Sequence, residues 1–481
     1  MTSPARRRSP PALQACLRVV FTIRLRPAFA LALAVAAGLT APAITVAESP
    51  APPLVLRAAR LLDGTGSDLR RNVAVVIKDG RIERVAAAGG FQPPPGASTI
   101  DLGDVTLVPG LIDCHVHLTM EITRSWEFES VKGTPADAAL LGAVSAMKTL
   151  RAGFTTVRNL GDRGGESVAL RNAIDRGLLP GPRVLTARRM LSITGGHGDW
   201  SGGFRPGLSL LGLDPPEAGL CDSPDACRAA VRTQVKYGAD VIKISATGGV
   251  LSSGDEIGAR QFSDEELKAI VSEAHLLGRK VAAHAHGTSG IKAAVLAGVD
   301  SIEHGSILDD ETIRLMKERG TVLVPTLMAG ETVEAAARAG TLPDFAVSKA
   351  LAVRPKMVSS FRRAVAAGVR IAFGTDSSVS PHGKNAHEFE LMVQGGMTPG
   401  AALKAATSTA AALLGREAEI GTITEGKAAD LVAVPGDPLR DVSVLLRPVA
   451  VFQAGREVDL GAAPAPRTAS PSAPAASSSQ R

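Results

Sequence analysis

The chain has 481 residues, of which 45% are hydrophobic, 21% charged and only 3% aromatic. This is the composition of a globular protein with room for one large domain or two to three ordinary ones, not of a disordered or collagen-like chain. With two Trp and one Tyr, a surface of stacked rings that reads sugars or single strands is excluded. The formal net charge of +6 is accounted for by Arg6, Arg7, Arg8, Arg18, Arg24 and Arg26, because residues 1–47 hold no acidic residue. The balanced remainder lacks the cation excess that a phosphate-binding face needs, so nucleic acid is excluded as a partner.

The basic leader runs into the apolar stretch Ala28–Leu39, whose twelve residues are too few to span a bilayer. Small residues follow, with cut sites after Ala43 or Ala47. Residues 1–47 therefore read as an export signal, and the mature protein as periplasmic or secreted without a stable membrane span. An uncleaved amphipathic anchor is the alternative.

Residues 54–108 are rich in short β-branched runs, with a hairpin turn at Lys78-Asp79-Gly80. The same texture returns at 421–458, so residues 48–108 and 421–460 are expected to form one small composite β-sandwich domain. Between them, over 109–420, eight apolar runs alternate with helical segments. The runs are Leu107–His117, Thr155–Leu160, Arg183–Met190, Val241–Ala246, Lys280–His286, Ser301–Gly305, Val322–Leu327 and Arg370–Asp376. Helices are expected at Ser263–Leu277, with Ser263 and Glu266 at capping-box spacing, and at Asp310–Arg319, stopped by Gly320. The alternation predicts an α/β fold of the (β/α)8 TIM-barrel type, with a doubly wound open sheet as runner-up. Residues 461–481 are mostly Ala, Pro and Ser and cannot bury a core.

Four cysteines limit the metal and redox chemistry. Cys16 leaves with the leader. Cys221 and Cys227 bracket CDSPDAC, where a disulfide and two separate thiols are both open readings. No Cys-x-x-Cys, Gly-x-Gly-x-x-Gly, Walker loop or Gly-x-Ser-x-Gly occurs, which lowers the case for cysteine-zinc, dinucleotide, nucleotide and serine-nucleophile chemistry.

The placement of the nine histidines is more informative. His115, His117, His284, His286 and His304 fall at the C-terminal ends of proposed strands, and His197 in the loop after the third. In a barrel those ends meet at one mouth, where such folds carry their active sites. His115 and His117, two apart on a strand, project from one side and can bind one ion, while Cys114 between them points into the core. His275 reads as a helix residue, and His382 and His387 remain ambiguous. Lys243, in Val-Ile-Lys-Ile, would face the barrel interior. Burial there favours a neutral amine able to add carbon dioxide and become a bridging carbamate. A lysine reaching for solvent or for a carboxylate is the plainer reading. Asp376, in Phe-Gly-Thr-Asp, can bind metal and take a proton from water, or cap the next helix.

The motifs VPGLIDCHVH, GGHGD, VIKISATGG, AAHAHG, SIEHG, FGTDSS and GKAADLVAV, in this order over about residues 54–458, resemble the amidohydrolase superfamily. The similarity is greatest to its imidazolonepropionase-like and Xaa-Pro dipeptidase-like branch, which includes ochratoxin-degrading amidohydrolases. The resemblance implies two divalent ions, zinc being best suited. His115, His117 and Asp376 would hold the more buried ion, and His284 and His304 the other, with carboxylated Lys243 bridging. Either histidine of AAHAHG could be the ligand; His284 is chosen because it closes the strand, leaving His286 for substrate. Asp376, His197 and His286 are the implied catalytic groups, with His197 or His286 on the oxyanion.

The activity expected is hydrolysis of amide bonds in dipeptides or N-acyl amino acids, including ochratoxin A. A cyclic-amide or lactone hydrolase with the same centre is the alternative, and a non-catalytic binding protein the weakest reading. The partner expected is a small-molecule substrate; a homo-oligomer is left open. Loops 118–137, 191–222, 247–262 and 328–350 would set specificity. Arg205 and Arg260 are among the loop cations that could hold a substrate carboxylate.

Overall fold

The computed structural model describes residues 52–66, 68–123, 125–201 and 215–461. The leader expected at 1–47, the tail from residue 462 and Arg205 lie outside the described residues. Among the described residues no helix is long and apolar enough to cross a membrane.

Strands from both ends of the chain join in one eight-stranded sheet. Leu54–Leu61 pairs antiparallel with Arg70–Lys78, which pairs in turn with Arg81–Ala87. The turn between the last two holds Asp79 at φ 49° and Gly80 at φ 74°, the left-handed pair that a tight two-residue hairpin requires. On its other edge Leu54–Leu61 runs parallel to Ser98–Asp101 and to Val105–Pro109. Val105–Pro109 carries Leu431–Pro435, followed by Ala450–Gln453 and Arg456–Glu457. Alternate side chains, among them Leu56, Val75, Ile77, Leu107, Leu431 and Phe452, fill one apolar cluster across it.

The first apolar run is not one strand. It breaks at Gly110: Val105–Pro109 stays in the eight-stranded sheet, and Leu111–Val116 opens the parallel strands. A Cβ at Gly110 would come within 2.1 Å of Thr155 Oγ1, so only glycine allows the chain to pass this closely from one sheet to the next.

Among the described residues seven parallel strands follow in two sheets. Leu111–Val116, Phe154–Asn159 and Arg183–Thr186 make one; Val241–Ser245, Lys280–Ala285, Ser301–His304 and Val322–Val324 make the other. Isolated parallel bridges join Leu191 to Ile244, Leu323 to Ile371 and Val116 to Ser377. The eighth expected run, Arg370–Asp376, is therefore a bridged segment and not a regular strand. It bonds one residue at a time to each neighbour: Ala372 N–H donates to Leu323 O, Cys114 N–H to Phe373 O, and Asp376 N–H to His115 O at 2.7 Å. Asp376 itself sits at φ 55°, which ends any extended course. The third run also stops early, at Thr186, because Arg188 turns left-handed at φ 57°.

Helices separate most of these strands, as the alternation predicted. Asp264–Leu276 starts with the expected capping box between Ser263 and Glu266. Asp310–Arg319 ends on Gly320 at φ 71°. Ile242, Ile244, Val281, Ala283 and Ile302 turn from the strands into the main apolar cluster, each Ile or Val so buried contributing roughly 1.5–3 kcal/mol. Cys114 lies in a neighbouring cluster with Ile112 and Leu413, and burial pushes its thiol up to about 12. Cys221 and Cys227 are joined as a disulfide.

Candidate metal centre

The strand ends converge on one cavity of about 190 Å³, lined by His115, His117, His197, Lys243, His284, His286, His304 and Asp376 among others. Every predicted ligand and catalytic residue is therefore in one place. Backbone geometry aims two of them: His304 at φ 70°, where its strand ends, and Asp376 at φ 55°, where the bridged segment ends, leave the extended region and turn their side chains into the mouth.

The histidine rings are held by what their Nδ1 atoms meet. His115 Nδ1 lies 2.9 Å from Glu303 Oε2, and His117 Nδ1 3.2 Å from Gly161 O. His286 Nδ1 lies 2.7 Å from Ser306 Oγ, and His304 Nδ1 2.7 Å from Thr326 Oγ1. Each partner fixes one side of its ring and leaves Nε2 for the cavity, the arrangement by which outer partners orient metal-binding imidazoles. Asp376 Oδ1 stands 3.5 Å from His115 Nε2 and 3.3 Å from His117 Nε2.

Among the described residues the candidate ligand atoms fall into two trios sharing His304. Those of His115, His304 and Asp376 lie within 4.8 Å of one another, and so do those of His284, His286 and His304. The structure thus brings both histidines of AAHAHG to the same place. His284 Nε2 is 3.4 Å from Gly248 O, and its ring stacks on His197 with centroids 4.0 Å apart.

Burial controls the charge of the site. It lowers His115 to about 4, His197 to about 4 and His286 to about 3, and holds His284 and His304 well below the ordinary value. The rings are neutral near pH 7 and can offer lone pairs. Burial would raise Asp376, but the charges of His115, His117 and Lys243 and the bond from His117 outweigh it and hold the carboxyl at about 2. Burial lowers Lys243 to about 8. Lys243 is 2% exposed, and its Nζ has no hydrogen-bond partner.

That orphaned amine is the test of whether the residues fit a metal centre, and they do. A buried amine without an acceptor is costly as an ammonium. As a carbamate it would carry two oxygens into a nest of imidazole nitrogens and one ionised carboxylate. Imidazole and carboxylate donors suit zinc and related divalent ions.

The structure also adds residues that the motifs did not single out. Glu303 is fully buried between His115 and Arg158, whose Nη2 lies 2.8 Å from Glu303 Oε1. Arg158 Nε also donates to Cys114 O at 2.6 Å. Burial would raise Glu303, but Arg158 and then His115 outweigh it and hold the carboxyl at about 2. The available signal was a charge in each of two apolar runs, Arg158 in TTVRNL and Glu303 in SIEHG; opposite charges buried in neighbouring strands need each other. Asp113 is a further buried carboxyl, accepting from Asn385 Nδ2 at 2.8 Å and Thr375 Oγ1 at 2.7 Å. At the mouth, Ser252 Oγ lies 2.8 Å from His197 Nδ1 and from Asp255, which pairs with Lys349 at 2.9 Å.

The remaining candidates lie elsewhere or are occupied. Arg260 donates to Phe262 O and pairs with Asp264 at 2.5 Å, so its guanidinium is already committed. His275 pairs with Asp300, and His387 bridges Glu331 and Glu390. His382 is buried beside Met120 O.

Comparison with known proteins agrees with this geometry: residues 106–458 match the model of the amidohydrolase family. The chain belongs to the amidohydrolase family. Among these amidohydrolases, ochratoxinase of Aspergillus niger is 37% identical over 423 residues, 85% of this chain and 87% of its own length. Imidazolonepropionase of Deinococcus deserti is 27% identical over 84% of this chain and 96% of its own. The crystal structure of a Xaa-Pro dipeptidase with methionine bound in its active site superposes with TM-score 0.79 at 40% identity, covering 84% of this chain and 99% of the other. The chain is thus a hydrolase of the imidazolonepropionase-like and Xaa-Pro dipeptidase-like branch.

Proposed function

We propose that this amidohydrolase is a dinuclear metal enzyme that cleaves the amide bond of dipeptides or N-acyl amino acids, ochratoxin A being one such substrate. The observation that carries the reading is the unpartnered Lys243 amine at the meeting point of the four proposed ligand histidines and Asp376. His115, His117 and Asp376 would hold one ion, His284 and His304 the other, with carboxylated Lys243 between them. When bound there, two zinc ions would supply carbonyl polarisation and a nucleophilic water at neutral pH.

The chain's own groups supply the rest. Asp376 is ionised and can take up the proton of the attacking water and pass it to the leaving amine. Of the two histidines offered for the oxyanion, His286 is the better donor. Ser306 Oγ can donate to its Nδ1, so that Nε2–H faces the cavity. Because the Ser252 hydroxyl donates to Asp255, His197 gives its Nδ1–H to Ser252 Oγ and keeps a lone pair at Nε2. His197 is then better suited to orient a donor group of the substrate.

The likeness to ochratoxinase and to a Xaa-Pro dipeptidase supports amide substrates ending in an amino acid. We read the two parallel sheets, bridged at Leu191, Leu323 and Val116, as arcs of one eight-membered barrel, with the terminal strands as its attached β-domain. Export is proposed from the basic-apolar leader, and the Cys221–Cys227 disulfide suits an oxidising compartment.

Asp376→Asn tests catalysis against mere binding. The variant is expected to keep bound metal while turnover falls by at least about 100-fold. Unchanged turnover would overturn the assignment.

A further inference from the structure

Beside the metal cavity lies a second one, of about 950 Å³. The two share a sill of Met120, Ile122, Trp126 and Arg163. Its wall includes Arg189, a cation that the chemistry above does not use. Arg189 is 1% exposed, and none of its three guanidinium nitrogens has a hydrogen-bond partner.

A guanidinium presents a rigid fork of donors, and leaving a buried one unbonded is costly. The neighbouring carboxylates balance its charge from a distance without bonding to it. Asp162 accepts from Ser167 Oγ and from the Ser167 and Gly165 N–H groups, and Glu166 accepts from Gly164 N–H at 2.6 Å. Arg163 has a buried Nε without a partner and makes no ion pair among the described residues. Its guanidinium lies over the Trp200 ring, 4.6 Å from the centroid. A stacked cation of this kind can swing toward an incoming acceptor without first breaking a salt bridge. Burial lowers both arginines; Arg163 also feels the charges of Glu166 and Arg189, and Arg189 those of Asp162, Glu166, Arg188 and Glu217.

We propose that this second cavity is the seat of the substrate's free carboxylate, with Arg189 as its buried anchor and Arg163 closing on it from the sill between the two cavities. The acceptor that the Arg189 fork lacks is then brought by the ligand, and the apolar side chains of Met120, Ile122 and Trp126 cover the body between carboxylate and scissile amide. The identity of the ligand rests on the amide-hydrolase reading; the binding site does not.

The test is calorimetric binding of two probes without an amide, 3-phenylpropionate and 3-phenylpropanol, to the zinc-loaded full chain. The wild type is expected to bind the acid at least about tenfold more tightly than the alcohol. Arg189→Gln and Arg163→Gln should each remove most of that preference, and Arg189→Lys should keep part of it. A preference for the acid that survives both Gln variants would place the carboxylate on the metal and overturn the proposal, as would no preference in the wild type. Thermal melting adds a readout that a structural arginine would move the other way. Arg189→Met should leave Tm unchanged or raise it without ligand, and should abolish the rise given by the acid. A lowered Tm would mark Arg189 as a structural partner. Because neither probe is turned over, failure here is separate from failure of the amide-hydrolase reading.

Discussion

Glu303 and His115 are bonded carboxylate to imidazole at 2.9 Å in a fully buried setting, with Arg158 on the other carboxylate oxygen at 2.8 Å. The pair couples fold and site in one contact, since strand Ser301–His304 orients a candidate metal-binding ring on strand Leu111–Val116. Glu303→Gln keeps the shape but leaves Arg158 as a buried, uncompensated charge, a loss of roughly 3–5 kcal/mol. Metal affinity should fall about 10- to 100-fold because the ring loses its anionic partner. Glu303→Gln/Arg158→Met should recover much of the stability in denaturant melts but not the metal affinity. Recovery of both would show that Glu303 serves the core alone.

Lys243→Ala should lose most of the bound metal and activity, read by elemental analysis of protein reconstituted with zinc and bicarbonate. Its Nζ has no other partner to lose, so the fold should tolerate the change. Two equivalents of metal in that variant would refute the bridging carbamate.

The two histidines of AAHAHG are separable by the same measurement. His284→Ala is expected to drop one metal equivalent, whereas His286→Ala keeps both and loses mainly rate. The reverse pattern would exchange their roles, which the shared 4.8 Å cluster permits.

Glu388 gives a pH prediction away from the metal. It accepts the Leu327 and Met328 N–H groups at 2.8 and 2.7 Å, at the start of helix Leu327–Arg338, yet burial raises its carboxyl from 4.5 to about 8. Between those values the folded state holds a proton that the unfolded state has released. Its stabilising contribution is therefore full below pH 4.5 and is lost as pH rises through 8. The loss is on the order of 5 kcal/mol. In denaturant melts from pH 4.5 to 8.5, Glu388→Gln should flatten this limb relative to wild type. Parallel curves would contradict the shift.

Much of this was legible in the residues because the signals are local. His115 and His117 must share a strand face, Ser263 and Glu266 must cap a helix, and Asp79-Gly80 must turn. Each was found where the spacing put it. What escaped depends on partners distant in sequence. Gly110 splits an apolar run only because Thr155 crowds it, and Arg370–Asp376 is bridged, not regularly paired, because its neighbours offer single bonds. Glu303 looked like part of a motif until Arg158, 145 residues away, stood opposite. Nothing in the sequence around Arg189 says that it is buried without an acceptor.

The most direct measurement is release of free amino acid by zinc-loaded protein beginning at Glu48, from a panel of dipeptides, N-acyl amino acids, ochratoxin A and lactones. Metal-dependent cleavage of amides that end in a free carboxylate is the predicted result. Turnover of lactones or cyclic amides alone would contradict it, leaving the metal centre in place but moving the enzyme to other substrates.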